Sequence, residues 1–234
     1  MDRRGWIVFA LVLLAIGGVV WGIRAWIDAE ERAETERAEA RRQERLADAE
    51  RRVLRLIEES RALLPDVVEG AALGLTLDEV RAARPGLAPA RADRGELLMF
   101  EERLPNGGQA MYGFDRPSGR LVQVQILSLL PTTAAISPHL AAMRDRYGTP
   151  TGVWDCPITG GVPTRRFTWR GSQTTVSDVF LIYGERVSQT LYIATTEQIG
   201  RSLRMAGCAP VSGDRIAEFP VASPEQIQQM SAGR

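Results

Sequence analysis

The chain opens with an uncharged run, WIVFALVLLAIGGVVWGI, at residues 6–23. A helix of this length can cross the hydrocarbon layer of a membrane. Trp6 lies at one end of the run, and Trp21 and Trp26 lie near the other, as is typical of indole rings at the two headgroup layers. The run is longer than the apolar part of a secretory signal, and bulky residues follow it. We therefore predict an uncleaved transmembrane anchor over Trp6–Ile27.

The charges beside this anchor favour opposite orientations. Arg3 and Arg4 favour a cytoplasmic amino terminus, whereas several arginines soon after the run argue against it. The cysteines favour the first orientation, because Cys156 and Cys208 both follow the anchor, and a widely spaced pair in an exported domain is most simply a disulfide. Two unrelated buried thiols are the alternative. We expect a single-pass inner-membrane protein with a periplasmic carboxyl-terminal domain.

The charge balance argues against a nucleic-acid partner. The chain has 29 basic and 29 acidic residues and no net charge, and all of its basic residues are arginine. It contains 1 histidine, and its cysteines do not have the spacing of a zinc site. The sequence therefore predicts neither a metal nor a cofactor.

Residues 28–68 form a predicted helical stalk. The stretch is nearly free of glycine and proline and is rich in alanine, glutamate and arginine, which have high helix propensity. Small or apolar residues recur at alternating spacings of three and four, at Leu46, Ala49, Val53, Leu56, Ser60 and Leu63. Either the stalk forms a homodimer as a coiled coil, or it is a single helix whose last turns pack on the following domain.

Residues 69–209 form a predicted domain of two similar halves, 69–130 and 131–209. In each half, a short helix precedes strands of an antiparallel sheet. The first helix begins at a capping box formed by Thr76 and Glu79. The predicted fold class is therefore α+β, with a transmembrane helix, a helical stalk and two helix-plus-antiparallel-sheet units.

Alternating apolar residues and turn residues place the strands. The second helix is predicted to begin after Ser137, which would cap it, and to end at Tyr147. The predicted strands are Leu97–Leu104, Gln109–Asp115, Arg120–Ser128, Thr151–Asp155, Arg165–Arg170, Thr174–Tyr183 and Arg186–Thr195. A closing helix is predicted over Glu197–Ala206. Residues 210–234 are polar and contain prolines, so they are predicted to be a flexible tail.

Two short motifs resemble those of a known family. The first, G-x-T-x-x-E-V-R at Gly74–Arg81, opens the first helix, and the second, Y-G-x-P at Tyr147–Pro150, ends the second helix. Together with the repeated helix-then-sheet order, they resemble the BamE/SmpA-like and beta-lactamase-inhibitor-protein-like fold over Gly70–Cys208. The resemblance implies a binding scaffold of the bacterial envelope rather than an enzyme.

Two neighbouring strands contain tryptophan and arginine, the residue types that often contribute most of the binding energy at protein interfaces. The candidate partner-binding residues are Trp154, Arg165, Arg166, Trp169 and Arg170. We expect them on an open face or edge of the sheet. Burial in the core is the alternative, since aromatic residues on strands commonly pack there.

Two polar groups in the domain require an explanation. Asp178 lies on the apolar face of its predicted strand, so we expect it to pair with one of the nearby arginines, Arg165, Arg166 or Arg170, rather than to act as a functional acid. Ser137 and His139 are two residues apart on a helix and point to different sides, so they are not predicted to be a catalytic pair.

These observations predict a non-enzymatic bitopic envelope protein. Its extracytoplasmic domain would bind another envelope protein as a scaffold or assembly accessory. The alternative is a periplasmic sensor or ligand-binding module that signals through a membrane partner. An envelope hydrolase is the third hypothesis. A pocket with converging polar groups would favour the ligand-binding module, whereas an exposed apolar strip or an open sheet edge would favour protein binding.

Overall fold

The computed structural model describes most of the chain. The described residues are 3–90, 95–105, 107–157, 162–226 and 228, without the side chains of residues 3–20, 22, 23, 25, 27–29 and 214. The chain divides into two compact units, Met1–Arg52 and Val53–Arg234. The α-helices of the described residues are α1 (Arg3–Leu63), α2 (Leu77–Ala83), α3 (Ile136–Tyr147) and α4 (Thr196–Met205).

The described residues of the second unit form one antiparallel sheet of nine strands. These are β1 (Ala88–Pro89), β2 (Leu97–Arg103), β3 (Gln109–Asp115), β4 (Leu121–Leu130), β5 (Gly152–Pro157), β6 (Pro163–Arg170), β7 (Thr174–Tyr183), β8 (Arg186–Thr195) and β9 (Ala209–Pro210). Their order across the sheet is β1-β2-β3-β4-β8-β7-β6-β5-β9. The two predicted halves therefore share one sheet, in which β4 pairs with β8.

Both outer strands of this sheet are short and contain proline. β1 pairs with β2 at Ala88 and Pro89, and β9 pairs with β5 at Ala209 and Pro210. Proline has no backbone N–H to donate to a further strand, and short edge strands with proline are a common protection against edge-to-edge pairing. The two outer strands are therefore poor sites for adding a strand from a partner, although each covers only two residues of its neighbour.

Side chains alternate between the two faces of the sheet. The core face contains large buried side chains such as Tyr112, Phe167 and Ile193, which pack in one cluster with α2, α3 and the last turns of α1. The opposite face, called the α4 face below, is partly covered by α4. There the hydroxyl oxygens of Thr175 and Thr196 lie 3.1 Å apart.

The last turns of α1 belong to the second unit and pack on its core. Leu56, Ile57 and Leu63 contact the core cluster. Ser60 is fully buried, and its Oγ accepts a 2.9 Å hydrogen bond from the backbone N–H of Leu73. The last part of the alternating spacing, at Leu56, Ser60 and Leu63, therefore serves packing within one chain. The coiled-coil prediction is wrong for these last turns, because these seam positions pack on the domain, whereas the earlier position Leu46 is exposed.

The predicted membrane anchor over Trp6–Ile27 is also wrong. Most of its side chains lie outside the described residues, and the exceptions are Trp21, Arg24 and Trp26. Over the residues that were described, none of the helices is long and apolar enough to cross a membrane. This finding overturns the transmembrane part of the fold class and the single-pass inner-membrane localisation.

Candidate functional site

The five candidate partner-binding residues do not form one surface. Because successive residues of a strand point to opposite faces, Arg165 and Trp169 lie on the core face with Phe167, whereas Arg166 and Arg170 lie on the α4 face. Trp154 pairs with Arg166 across β5 and β6 and also lies on the α4 face. Both Arg165 and Trp169 are buried. Burial in the core, the alternative to partner binding, therefore describes Arg165 and Trp169.

On the α4 face, Trp154 and Arg170 line a cleft of about 520 Å³ between the sheet and α4. The indole of Trp154 lies over Gly152, where a Cβ atom would be 2.9 Å from Nε1 of the indole. Threonine side chains, including Thr168 and Thr196, also line this cleft. This cleft, called the α4 cleft below, contains two of the five predicted residues.

Arg166 has a structural position under α4. Its Nη1 donates a 3.3 Å hydrogen bond to Oγ of Ser202, and its guanidinium carbon is 5.4 Å from the ring centre of Tyr192. Burial lowers the pKa of Arg166, and the nearby Tyr192 partly offsets this effect. The side chain therefore links α4 to the sheet, and little of it is exposed to a partner.

Arg165 is a buried and fully hydrogen-bonded group on the core face. It is 2 % exposed, and its Nε donates a 2.6 Å hydrogen bond to Asp155, which fixes the plane of the guanidinium. The outer nitrogens donate to three backbone carbonyls, at 2.9 Å to Arg215, 2.7 Å to Ile216 and 2.7 Å to Glu218. The residue therefore holds a segment whose composition predicts a flexible tail.

That segment, residues 212–222, is called the strap below. Its Phe219 ring packs at centroid distances of 5.9 Å from Phe167 and 5.7 Å from Phe180. Val221 forms a parallel bridge with Ile182 of β7. A polar, proline-containing composition predicts disorder, but here a buried arginine satisfies the carbonyl groups and an aromatic cluster receives the one phenylalanine. The strap is therefore packed on the domain.

Beside the strap, the core face opens into a cleft of about 860 Å³, called the strap cleft below. Three elements form its walls, and each provides at least two large apolar side chains. These are Ile136 and Leu140 from α3, Phe167 and Ile182 from the sheet, and Ile216 and Phe219 from the strap, which also contributes Val221. The polar side chains in its lining belong to Thr133, Ser137 and Arg144. The cleft is suited to apolar groups.

A buried polar chain lies close to this cleft. Nε2 of His139, on α3, is 2.8 Å from Oδ2 of Asp178, on β7. Gln189 donates to the other oxygen of Asp178 and accepts from Ser128. The prediction that Asp178 pairs with an arginine is wrong, because Arg165 points to Asp155, and Arg166 and Arg170 lie on the other face.

The cysteines are joined in the structure. Cys156 and Cys208 form a disulfide with a Cα–Cα distance of 4.2 Å. Cys156 lies in β5, and Cys208 follows α4 and precedes β9. The bond therefore fastens the chain immediately before the strap, so that the strap starts from a fixed point.

No protein-family model, curated protein or solved structure matches this chain. Within the described residues, no group of three or more His, Cys, Asp or Glu side chains could hold a metal ion. The strap and the His139–Asp178 pair were missed by sequence reasoning. The one available signal for the strap was its apolar residues, Ile216, Phe219 and Val221, in an otherwise polar stretch.

Proposed function

We propose that this chain is a non-enzymatic binding protein whose strap cleft receives apolar side chains of a partner protein. The observation that supports this proposal is the apolar lining that α3 and the sheet give the cleft, with Ile136, Leu140, Phe167 and Ile182. Exposed apolar surface of this kind is typical of protein or peptide recognition.

The polar groups near the cleft support binding rather than catalysis. Asp178 has no exposed surface, and both of its carboxylate oxygens accept hydrogen bonds. The side chain of His139 is 25 % exposed and uses Nε2 for Asp178. An acyl-transfer site also needs a nucleophile in contact with the histidine. In the described part of the chain, the hydrogen-bond partner of His139 is Asp178 alone.

The short outer strands of the sheet favour the strap cleft, rather than a sheet edge, as the partner-binding site. Its outer strands, β1 and β9, are each two residues long and end in proline. A partner strand would find few backbone groups to pair with there. The strap cleft, in contrast, is open to solvent next to exposed residues of α3 such as Arg144.

Site-specific photocrosslinking in cells that make the full chain tests the proposal. A photoreactive residue in place of Arg144, at the rim of the strap cleft, is expected to give an adduct with a partner. The same residue in place of Met205, which is 82 % exposed on α4, is the positional control. An adduct that forms from Met205 and not from Arg144 would refute the assignment of the cleft.

A pair of alanine positions on α3 provides the matched variants. Ala141 lines the strap cleft, whereas its neighbour Ala142 does not, and both are exposed. Ala141→Glu is expected to weaken capture of the crosslinked partner about tenfold or more, because a carboxylate must be desolvated in an apolar cleft. Ala142→Glu is expected to have no effect. Equal capture by both variants would contradict the proposal.

The α4 cleft supports a second candidate function, the binding of a small polar ligand. Its walls combine the indole of Trp154 with the side chains of Arg170, Thr168 and Thr196. Hydroxyl groups around an aromatic surface can orient a polar ligand. Titration with candidate ligands, monitored by the fluorescence of the protein with and without the substitution Trp154→Phe, separates this function from partner binding at the strap cleft.

A further inference from the structure

The strap is recognised mainly through its backbone. The guanidinium of Arg165 donates to three of its carbonyl oxygens, and the backbone N–H of Ala222 donates a 2.9 Å hydrogen bond to the carbonyl of Ile182. Backbone groups are present in every peptide, so these contacts do not depend on the side chains of the strap. The same donors and acceptors could hold another extended segment.

Side chains supply the selectivity. Ile216 and Phe219 both line the strap cleft, and Phe219 enters the cluster formed by Phe167 and Phe180. Val221 follows two residues later and bridges to β7. The strap therefore presents an aliphatic residue, an aromatic residue three positions later and an aliphatic residue two positions after that.

The strap has large apolar side chains that are less deeply buried than those of the core face that it covers, such as Phe167. Its two apolar anchors, Ile216 and Phe219, are only half-buried, and Val221 is 57 % exposed. It follows the disulfide at Cys208, which closes the preceding part of the domain. It can therefore leave the sheet without breaking any strand pairing inside β2 to β8.

We infer that the strap is an intramolecular ligand of the apolar surface that α3 and the sheet form at the strap cleft, and that the partner displaces it there with an extended segment that has the same pattern of aliphatic, aromatic and aliphatic residues. This inference rests on the proposed function and specifies the partner and its control. A tethered segment acts at an effective concentration near the millimolar range, so it competes strongly with a segment of equal intrinsic affinity. The apparent affinity for the partner is then its intrinsic affinity multiplied by the fraction of molecules in which the strap is displaced.

Binding of a synthetic peptide to the full chain tests this inference. The probe is a fluorescent peptide with the sequence of residues 212–224, and its binding is measured by fluorescence anisotropy. Phe219→Ala in the protein removes the aromatic anchor of the strap and is expected to strengthen peptide binding at least tenfold over the natural chain. A peptide in which the residue equivalent to Phe219 is alanine is the matched control and is expected to bind poorly.

A second variant covers the case in which Phe219→Ala unfolds the domain. A protease site inserted after Ser212 allows the strap to be cut from the folded, disulfide-bonded protein. After the cut fragment is removed by gel filtration, the peptide is expected to bind, and Arg165→Met in the same background is expected to abolish binding. Failure of the peptide to bind the cut protein, or equal binding before and after cutting, would overturn the inference.

These outcomes separate the inference from the proposed function. In one outcome the peptide does not bind, but a partner still crosslinks at position 144 and the Ala141→Glu variant no longer captures it. The partner then uses the cleft, and the strap does not mimic the partner. If the peptide binds but no partner is crosslinked at the cleft, the strap is a true ligand of the cleft and the proposed function is refuted.

Discussion

Oδ2 of Asp178 lies 2.8 Å from Nε2 of His139, although Asp178 is on β7 and His139 is on α3. The carboxylate has no exposed surface and is surrounded by the apolar core face. A buried carboxylate is tolerated only when its oxygens are hydrogen-bonded, and here Gln189 satisfies the second oxygen. The pair therefore fixes the position of α3, which forms one wall of the strap cleft.

His139→Ala is expected to lower the free energy of unfolding by about 3 kcal/mol, because it leaves a buried carboxylate without one of its two partners. Urea unfolding followed by circular dichroism measures this loss. The double variant His139→Ala with Asp178→Asn removes the charge as well as the histidine, and it is expected to be more stable than His139→Ala alone. A double variant that is less stable than the single variant would contradict this account.

This relationship shows where sequence reasoning stops. Strand boundaries depend on the local sequence, and β3, β7 and β8 begin and end at the predicted residues. The predicted capping box of Thr76 and Glu79 is confirmed for the same reason. The partner of Asp178, in contrast, is 39 residues away on a helix that crosses the sheet. Its identity depends on the packing of α3, which no local pattern encodes.

Glu59 connects the end of α1 to the turn between β6 and β7. Its carboxylate accepts hydrogen bonds from the Ser172 hydroxyl and from the backbone N–H groups of Gln173 and Thr174. Burial by itself would raise the pKa of Glu59, but these hydrogen bonds outweigh it and hold the pKa below its usual value of 4.5. The stabilisation is therefore fully present above about pH 4.5 and is lost as the pH falls through the lower pKa of the folded state.

Glu59→Gln is expected to reduce the free energy of unfolding at pH 7 by about 1 kcal/mol, since a neutral amide accepts these hydrogen bonds less strongly. It should also flatten the decline in stability below pH 4.5. Urea midpoints measured at pH 7 and at acid pH test both effects. Glu58→Gln, at the exposed neighbouring position, is the matched control. The same pH dependence in both variants would show that Glu59 does not anchor α1.

The disulfide between Cys156 and Cys208 encloses a long segment, with a sequence separation of 52. In the loop-entropy model, closing a loop of this size stabilises the folded state by about 4 kcal/mol. The double variant Cys156→Ser with Cys208→Ser should lose most of this stability in thermal unfolding. Thiol titration of the unreduced natural chain in denaturant should detect no free thiol. Two titratable thiols under those conditions would exclude the bond.

The strap cleft was harder to predict than the sheet, for a physical reason. The sequence places Arg165 and Arg166 side by side, but the strand sends them to opposite faces, so one holds the strap and the other supports α4. Residues 212–222 have the composition of a flexible tail, and their order comes from Arg165 and Phe167, which are distant in sequence. Composition describes a segment alone, whereas its packing depends on the surface that it meets.

Ser60 gives the sharpest test of how the end of α1 is used. Its Oγ accepts a hydrogen bond from the N–H of Leu73 and donates a 3.2 Å hydrogen bond to the carbonyl of Ile57. Ser60→Ala should lower the free energy of unfolding by about 1–3 kcal/mol, because the N–H of Leu73 is left buried without an acceptor.

The sign of this change separates packing within one chain from a dimeric helix. In a coiled-coil seam, alanine at this position would be neutral or favourable, because it has higher helix propensity and no polar group. Urea unfolding of Ser60→Ala and of the exposed control Arg61→Ala, together with sedimentation velocity, tests the difference. We expect loss of stability in the first variant only, with no change in oligomeric state. A gain in stability accompanied by dimerisation would show that the last turns of α1 are used between chains.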